Sequence, residues 1–264
     1  DCKAGVAIIL EALESIKEDG ASRKSVEVVF TREEETGLLG AYNLDYSKLT
    51  AKEAFVFDNE GPASQITSTS PTCLGFEIEI KGRAAHAGIE PEKGLSAIRI
   101  AAEIITRLPQ GRLDEETTFN IGTVKGGSVI NAVPENAVVT GEFRSSNLET
   151  FDSIRLQLSE AIGEVRSMFP EAAIEERLDT LFETYTLTEE DPATRRVMAA
   201  LQSLRLKTTM RPSGGGTDGN VFRRRGISAV VMGMATQGMH TVRECVNIPD
   251  LLDGARVCET LLRE

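Results

Sequence analysis

The hydrophobic periodicity of this chain changes style twice, near residues 71 and 184, and that double change narrows the folds open to it. Before the first change, residues 3–17 put Val6, Ile8, Ile9, Leu10, Leu13 and Ile16 on a broad helical face, and Asp19-Gly20 supplies a stop. The mostly apolar run at 26–30 predicts a buried strand, residues 38–43 a short helix, and residues 54–57 a second buried strand. Helices alternating with buried strands indicate an α/β layer on a mostly parallel sheet. From residue 74 to 81 the pattern becomes period two, with Phe76, Ile78 and Ile80 against Glu77 and Glu79, as in an antiparallel strand with one wet face. A helix at about 95–108, strands at 117–124 and 137–144 joined through Gly126-Gly127, a helix at 148–168 and a strand at 172–178 follow. Strand-helix-strand-strand-helix-strand is the order of a ferredoxin-like α+β module. The first style returns with a helix at 192–204, the glycine-rich run 213–219, a strand at 227–232 and a last helix from about Pro249. The expected organisation is one domain, 1–71 plus 184–264, interrupted by another at 72–183.

A chain of 264 residues with 41% hydrophobic content can bury a sizeable core. Its formal net charge of −12 argues against nucleic acid as a partner. No apolar stretch approaches a membrane span, and no signal peptide is recognisable. Four cysteines without Cys-x-x-Cys spacing read as reduced thiols in a cytoplasmic protein.

The chemistry concentrates where the run at 26–30 ends, in Thr31-Arg32-Glu33-Glu34-Glu35-Thr36-Gly37. Adjacent carboxylates repel unless a cation or a shared proton compensates. A divalent metal would use one Glu as a ligand and leave its neighbour free as a base toward water. Taken alone, these seven residues favour a plainer alternative: Thr31 as N-cap with Glu34 as the reciprocal partner of a capping box. Other groups change the balance. Asp58 and His240 also follow sheet strands, and in open α/β sheets ligands bind beyond the carboxyl ends of strands. His86 sits in a flexible Gly82–Gly88 stretch past the first antiparallel strand. Asp1 is open between a helix N-cap and a carboxylate bridging two metals. Asp218, in Gly215-Gly216-Thr217-Asp218-Gly219, is open between a simple turn and a loop that lets backbone approach a substrate.

Asp1-x-Lys3, Glu33-Glu34-Glu35-Thr36-Gly37 and Asp58 together resemble the signature of the co-catalytic zinc peptidase family, which includes peptidase T, glutamate carboxypeptidase, aminoacylase and succinyl-diaminopimelate desuccinylase. The similarity continues through Gly82-Arg83-Ala84-Ala85-His86-Ala87-Gly88, Asn131-Ala132-Val133-Pro134, Glu142-Phe143-Arg144-Ser145, Gly215-Gly216-Thr217-Asp218-Gly219 and His240-x-x-x-Glu244. It covers the whole chain in order. Pro91-Glu92-Lys93-Gly94 and Gly111-Arg112-Leu113-Asp114 look most like the peptidase T branch. The resemblance implies a zinc-peptidase catalytic domain carrying an inserted lid that pairs with a second lid in a homodimer. It implies two zinc ions, with cobalt or manganese as substitutes. Asp1 would bridge them, Glu35 and Asp58 would each bind one, and His240 would complete the set. Glu34 would be the general base, and His86 would stabilise the oxyanion. Asn131 and Arg144 would grip a substrate carboxylate or backbone, and Gly215 and Thr217 would form the substrate floor. The implied reaction is hydrolysis of amide bonds in short peptides, as in a tripeptide aminopeptidase. The alternatives are an N-acyl amino acid deacylase or carboxypeptidase on the same site, or an inactive binding relative.

Glu33 stands where the family has Asp, Asn or a similar residue. The family's His-x-Asp motif, expected well before the bridging Asp, is absent from these 264 residues, so the chain is expected to be the C-terminal part of a longer protein. Residues 1–264 expressed alone should bind metal poorly and hydrolyse no peptide. Robust peptidase activity from that segment would show the missing motif to be dispensable.

Overall fold

The computed structural model describes every residue except Asp1, Ala21 and Glu264. The chain divides into two compact units, one made of the residues up to Ser70 with those from Phe182 onward, the other of Pro71–Leu181. The insert expected at 72–183 differs from the second unit by one residue at its start and two at its end.

Helix α1 (Lys3–Asp19) buries Ile8, Ala12 and Ile16 and stops at Gly20, whose φ of 65° is the left-handed conformation that glycine adopts at little cost. The strand expected at 26–30 does not form, and this segment pairs with no strand. A ladder needs a neighbour roughly 4.8 Å away. Instead a cleft of about 680 Å³ lies between this segment and the next strand, and Val28 and Phe30 are 41% and 53% exposed. The segment is fastened at Glu27, whose carboxylate accepts hydrogen bonds from the amides of Thr50 (2.9 Å) and Ala51 (3.1 Å). Helix α2 (Leu39–Tyr42), strand β1 (Glu53–Glu60) and strand β2 (Gln65–Ser70) complete the first part of this unit. Gly5 lets α1 lie against β1, since a Cβ there would sit 2.5 Å from the Phe57 carbonyl oxygen.

The second unit comprises β3 (Thr72–Lys81), α3 (Ala97–Ile105), β4 (Gly111–Arg112), β5 (Thr117–Gly126), β6 (Asn136–Ser145), α4 (Leu148–Met168) and β7 (Ala173–Phe182). Its sheet runs β4-β5-β6-β3-β7, the ferredoxin-like arrangement with a short extra strand at one edge. Ser96 and Asn147 cap α3 and α4 by accepting from the amides of Arg99 and Thr150. One sheet face and the two helices enclose an aromatic row. Phe119 stacks on Phe143 at 5.8 Å, with Phe76 at 5.4 Å from Phe119 and Phe151 at 4.9 Å from Phe143.

The first unit resumes with β8 (Tyr185–Thr186), α5 (Pro192–Ser203), β9 (Thr209–Pro212), α6 (Asp218–Arg224), β10 (Ser228–Gln237), β11 (Cys245–Val246) and α7 (Ile248–Leu262). Its sheet runs β1-β10-β2-β8, with β11 on β10 and β9 on β2. The long ladders, β1 with β10 and β2 with β9, are parallel; the antiparallel pairings each join only one or two residues. Helices α1, α5 and α7 supply the core with Ile8, Val197, Leu201 and Val257, against Ile66, Val230 and Met232 of the sheet. Among the described residues no helix is long and apolar enough to cross a membrane.

Phe143 is fully buried between two rings, so Phe143→Ala should cost about 3–5 kcal/mol. Denaturant unfolding measures this, and a loss below about 1 kcal/mol would mean that the aromatic row is not the core of its unit.

Candidate active site

Parallel pairing of β1 with β10, in register from Glu53↔Ser228 to Phe57↔Met232 and irregular from there to Glu60↔Thr236, sends both strands out at one rim. Asp58 lies near the end of β1, and His240 follows β10 within the turn after Gln237. The Thr31–Gly37 segment reaches the same rim. His240 Nε2 lies 3.6 Å from Glu35 Oε1, and the Thr31 hydroxyl donates a hydrogen bond to Asp218 Oδ2 at the start of α6. The capping-box alternative for this segment is not adopted, because the next helix, α2, begins only at Leu39 and Thr31 does not cap it. Instead the chain folds into a tight turn in which the Glu34 carbonyl accepts from Gly37 (3.2 Å) and Leu38 (2.9 Å), with Glu33 and Leu38 both left-handed. Gly40 permits the close return, since a Cβ there would meet the Arg32 carbonyl oxygen at 2.2 Å.

Glu34, Asp58 and Asp218 line the 680 Å³ cleft together with Val6, Ile9 and Phe55. The crowding shows in proton affinity. Burial pushes the Asp58 carboxyl up to about 8, reinforced by the charges of Glu34, Asp218 and Glu35. Burial likewise raises Glu34 to about 7, with Glu35 and Asp218 adding to the rise and His240 opposing it. Asp218 is raised by burial against the opposing hydrogen bond from Thr31, and its Oδ1 is buried without a hydrogen-bond partner. Sequence reasoning left Asp218 undecided. The signal was present, an Asp inside a glycine-rich turn, but its burial beside two other acids is a tertiary fact.

Gly215 and Thr217 belong to the same unit. The Gly215 carbonyl accepts from Ser70 Oγ at 2.9 Å. Thr217 caps α6 in a reciprocal box with Asn220, its Oγ1 accepting from Gly219 N and its own amide donating to Asn220 Oδ1. Asn220 also donates to Ser70 Oγ and to the Glu183 carbonyl, both at 2.8 Å, so this loop is tightly fixed.

In the second unit His86 and Asn131 come together through their backbones. Ala87 N donates to the Asn131 carbonyl (3.0 Å), and His86 pairs with Ala132 in an isolated bridge. Nδ1 of His86 accepts from the Gly88 amide at 3.2 Å, which leaves Nε2 as the nitrogen directed elsewhere. Arg144 lies on β6, its Nε and Nη2 donating to the two oxygens of Glu142 at 2.9 and 3.0 Å. Cys73, cross-strand from Arg144, donates its thiol to Glu142 at 3.6 Å, and burial holds that thiol up at about 12. Asp1, the expected bridging ligand, lies outside the described residues. Among the described residues no three His, Cys, Asp or Glu side chains are arranged to hold a metal ion; Glu35 and His240 are the expected ligands that the structure brings side by side.

The Peptidase dimerisation domain matches residues 71–166, and the M42 glutamyl aminopeptidase family matches residues 1–88. The crystal structure of aminopeptidase PepT from Bacillus cereus superposes with a TM-score of 0.85 at 31% identity, over 99% of this chain and 70% of that one. The chain belongs to the M20 peptidases. Within that hydrolase family it falls in the peptidase T-like branch. A tripeptidase from Staphylococcus aureus matches with a TM-score of 0.90 at 29% identity, over all of this chain and 70% of its own. At 19% identity the fold alone is shared with a dinuclear metal binding M20 peptidase of Bacillus subtilis, TM-score 0.72, over 98% of this chain and 70% of that one.

In the metal-free protein Asp58 and Glu34 bind protons more tightly when folded than when unfolded, where carboxyls titrate near about 4. Their stabilising contribution is therefore complete below about pH 4 and is lost as pH rises through about 7 to 8. Thermal melts of metal-free protein across that window should show stability falling with pH, and Asp58→Asn should flatten the fall. An unchanged slope in the variant would exclude Asp58 as its source.

Proposed function

We propose that this peptidase T-like chain serves in the metal-dependent hydrolysis of amide bonds in short peptides, with tripeptides as the substrate class and two zinc ions as the cofactor. The observation that carries the reading is the gathering of Glu34, Glu35, Asp58, Asp218 and His240 at one strand rim, where burial and mutual repulsion leave carboxylates in need of a cation. The donor set fits a divalent ion. The 3.6 Å between Glu35 Oε1 and His240 Nε2 is close to the roughly 3.3 Å that separates two ligands of one tetrahedral zinc. Asp1, Glu35, Asp58 and His240 would hold the metals, which when bound supply Lewis acidity and acidify water. Cobalt and manganese suit the same ligands.

Glu34 then takes a proton from the attacking water on its carboxylate and returns it to the leaving nitrogen. Its raised proton affinity suits a group that must both accept and donate near neutral pH. We assign His86 the stabilisation of the developing oxyanion. Asn131 and Arg144 grip a substrate carboxylate or backbone, Arg144 through the same planar fork that Glu142 now occupies. Gly215 and Thr217 contribute the substrate floor. We further propose a cytoplasmic homodimer formed through the second unit, which is supported by the dimerisation-domain match at 71–166.

Glu34→Gln in the intact protein should retain its metal content while turnover falls by about 10²-fold or more on tripeptides. Near-normal turnover would remove Glu34 from the mechanism. Faster hydrolysis of N-acyl amino acids than of tripeptides would reassign the substrate.

A further inference from the structure

His240 occupies a left-handed backbone conformation, φ 62°, within a turn that also holds Gly238 at 67° and follows Ala235 at 69°. Non-glycine residues persist in that region only where surrounding contacts over-determine them. The contacts around this turn are specific. At its far side Thr241 Oγ1 donates to the Gly238 carbonyl (2.7 Å) and accepts from Arg243 N (3.1 Å). At its near side the Gly238 amide donates to the carboxylate of Glu60. Glu60 is the last residue of β1, two after Asp58, and the register of β1 against β10 is irregular between Phe57 and Glu60. Such bulges re-aim side chains. The backbone of Glu60 is itself secured, its amide donating to Asn59 Oδ1 (2.8 Å) and its carbonyl accepting from Gln65 Nε2 (3.0 Å). Asn59 in turn donates to Thr67 Oγ1 at 2.6 Å. The end of β1 therefore carries one candidate ligand and grips the turn that carries another.

We propose that Glu60 is a positioning residue for His240: its carboxylate holds the Gly238 amide and so sets the imidazole beside Glu35 before any ion arrives. The proposal rests on the metal-site reading above. Glu60 touches neither substrate nor metal in this role. It acts through the backbone two residues from His240, by a hydrogen bond that its side-chain oxygen accepts from the Gly238 amide. A glutamine keeps a carbonyl oxygen able to accept from that amide, whereas alanine removes the acceptor.

The test uses the whole protein in four forms: unaltered, Glu60→Ala, Glu60→Gln and His240→Ala. Zinc affinity is measured by chelator competition, and amide hydrogen exchange at Gly238 is followed in the metal-free state. Glu60→Ala should weaken zinc binding about 10-fold or more and speed exchange at Gly238, with the metal-free melting temperature unchanged. Glu60→Gln should stay within about threefold of the unaltered protein. Unaltered zinc affinity in Glu60→Ala, alongside a clear loss in His240→Ala, would overturn the positioning role and leave the metal-site reading standing. Equal damage from alanine and glutamine would also overturn it, since the charge rather than the tether would then matter. No loss in His240→Ala would take down both.

Discussion

Parallel pairing between β1 and β10 is the constraint on which the site depends. Two strands that run the same way release their following residues on the same side, so Asp58 and the turn bearing His240 emerge together although they are far apart in sequence. The Thr31–Gly37 segment adds two more acids to that rim. The arrangement is unfavourable for the bare protein, as the raised proton affinities of Asp58 and Glu34 record. A surface optimised only for stability would not bury carboxylates side by side.

The surrounding structure holds the segments that carry the acids in place with hydrogen bonds and close packing. Thr31 reaches across to Asp218, Glu27 takes the amides at 50 and 51, and Gly40 admits the Arg32 carbonyl where no side chain would fit. Three residues that are not glycine, Glu33 and Leu38 in the turn around Glu34 and Glu35, and His240 itself, adopt left-handed backbone. Each such residue costs on the order of 1 kcal/mol or more, and strain of this kind collects where geometry serves chemistry. The second unit follows another logic. Its aromatic row makes a rigid platform, and the opposite face of β6 carries Arg144 in a fork with Glu142. On the role proposed for Arg144, a substrate carboxylate would compete with a partner already in place.

Much of the chain was legible because periodicity survives the loss of three-dimensional information. Residues 148–168 read as a helix because Ile154, Leu158, Ile162 and Val165 repeat at helical spacing, and α4 has those bounds. The alternation at Phe76, Ile78 and Ile80 gave β3 its buried face. Some elements were not legible: β8 and β11, at two residues each, and β9, at four, are too short for a period to show, and β2 (Gln65–Ser70) holds Ile66 as its one apolar side chain. The run at 26–30 has the composition of a buried strand yet forms no ladder, because a strand is a relation between two segments and composition describes only one.

By itself the sequence singled out the candidate residues Glu34, Glu35, Asp58, His240, His86 and Arg144, and the longer elements around them, since side-chain chemistry and local periodicity are properties of neighbouring residues. Only the tertiary structure decided that Asp218 joins the acids under a bond from Thr31, that Thr217 is spent on a helix cap, and that Glu60 grips the His240 turn. Those facts depend on contacts between residues as much as 187 positions apart, and on burial, which alters a carboxylate's proton affinity without altering its spelling.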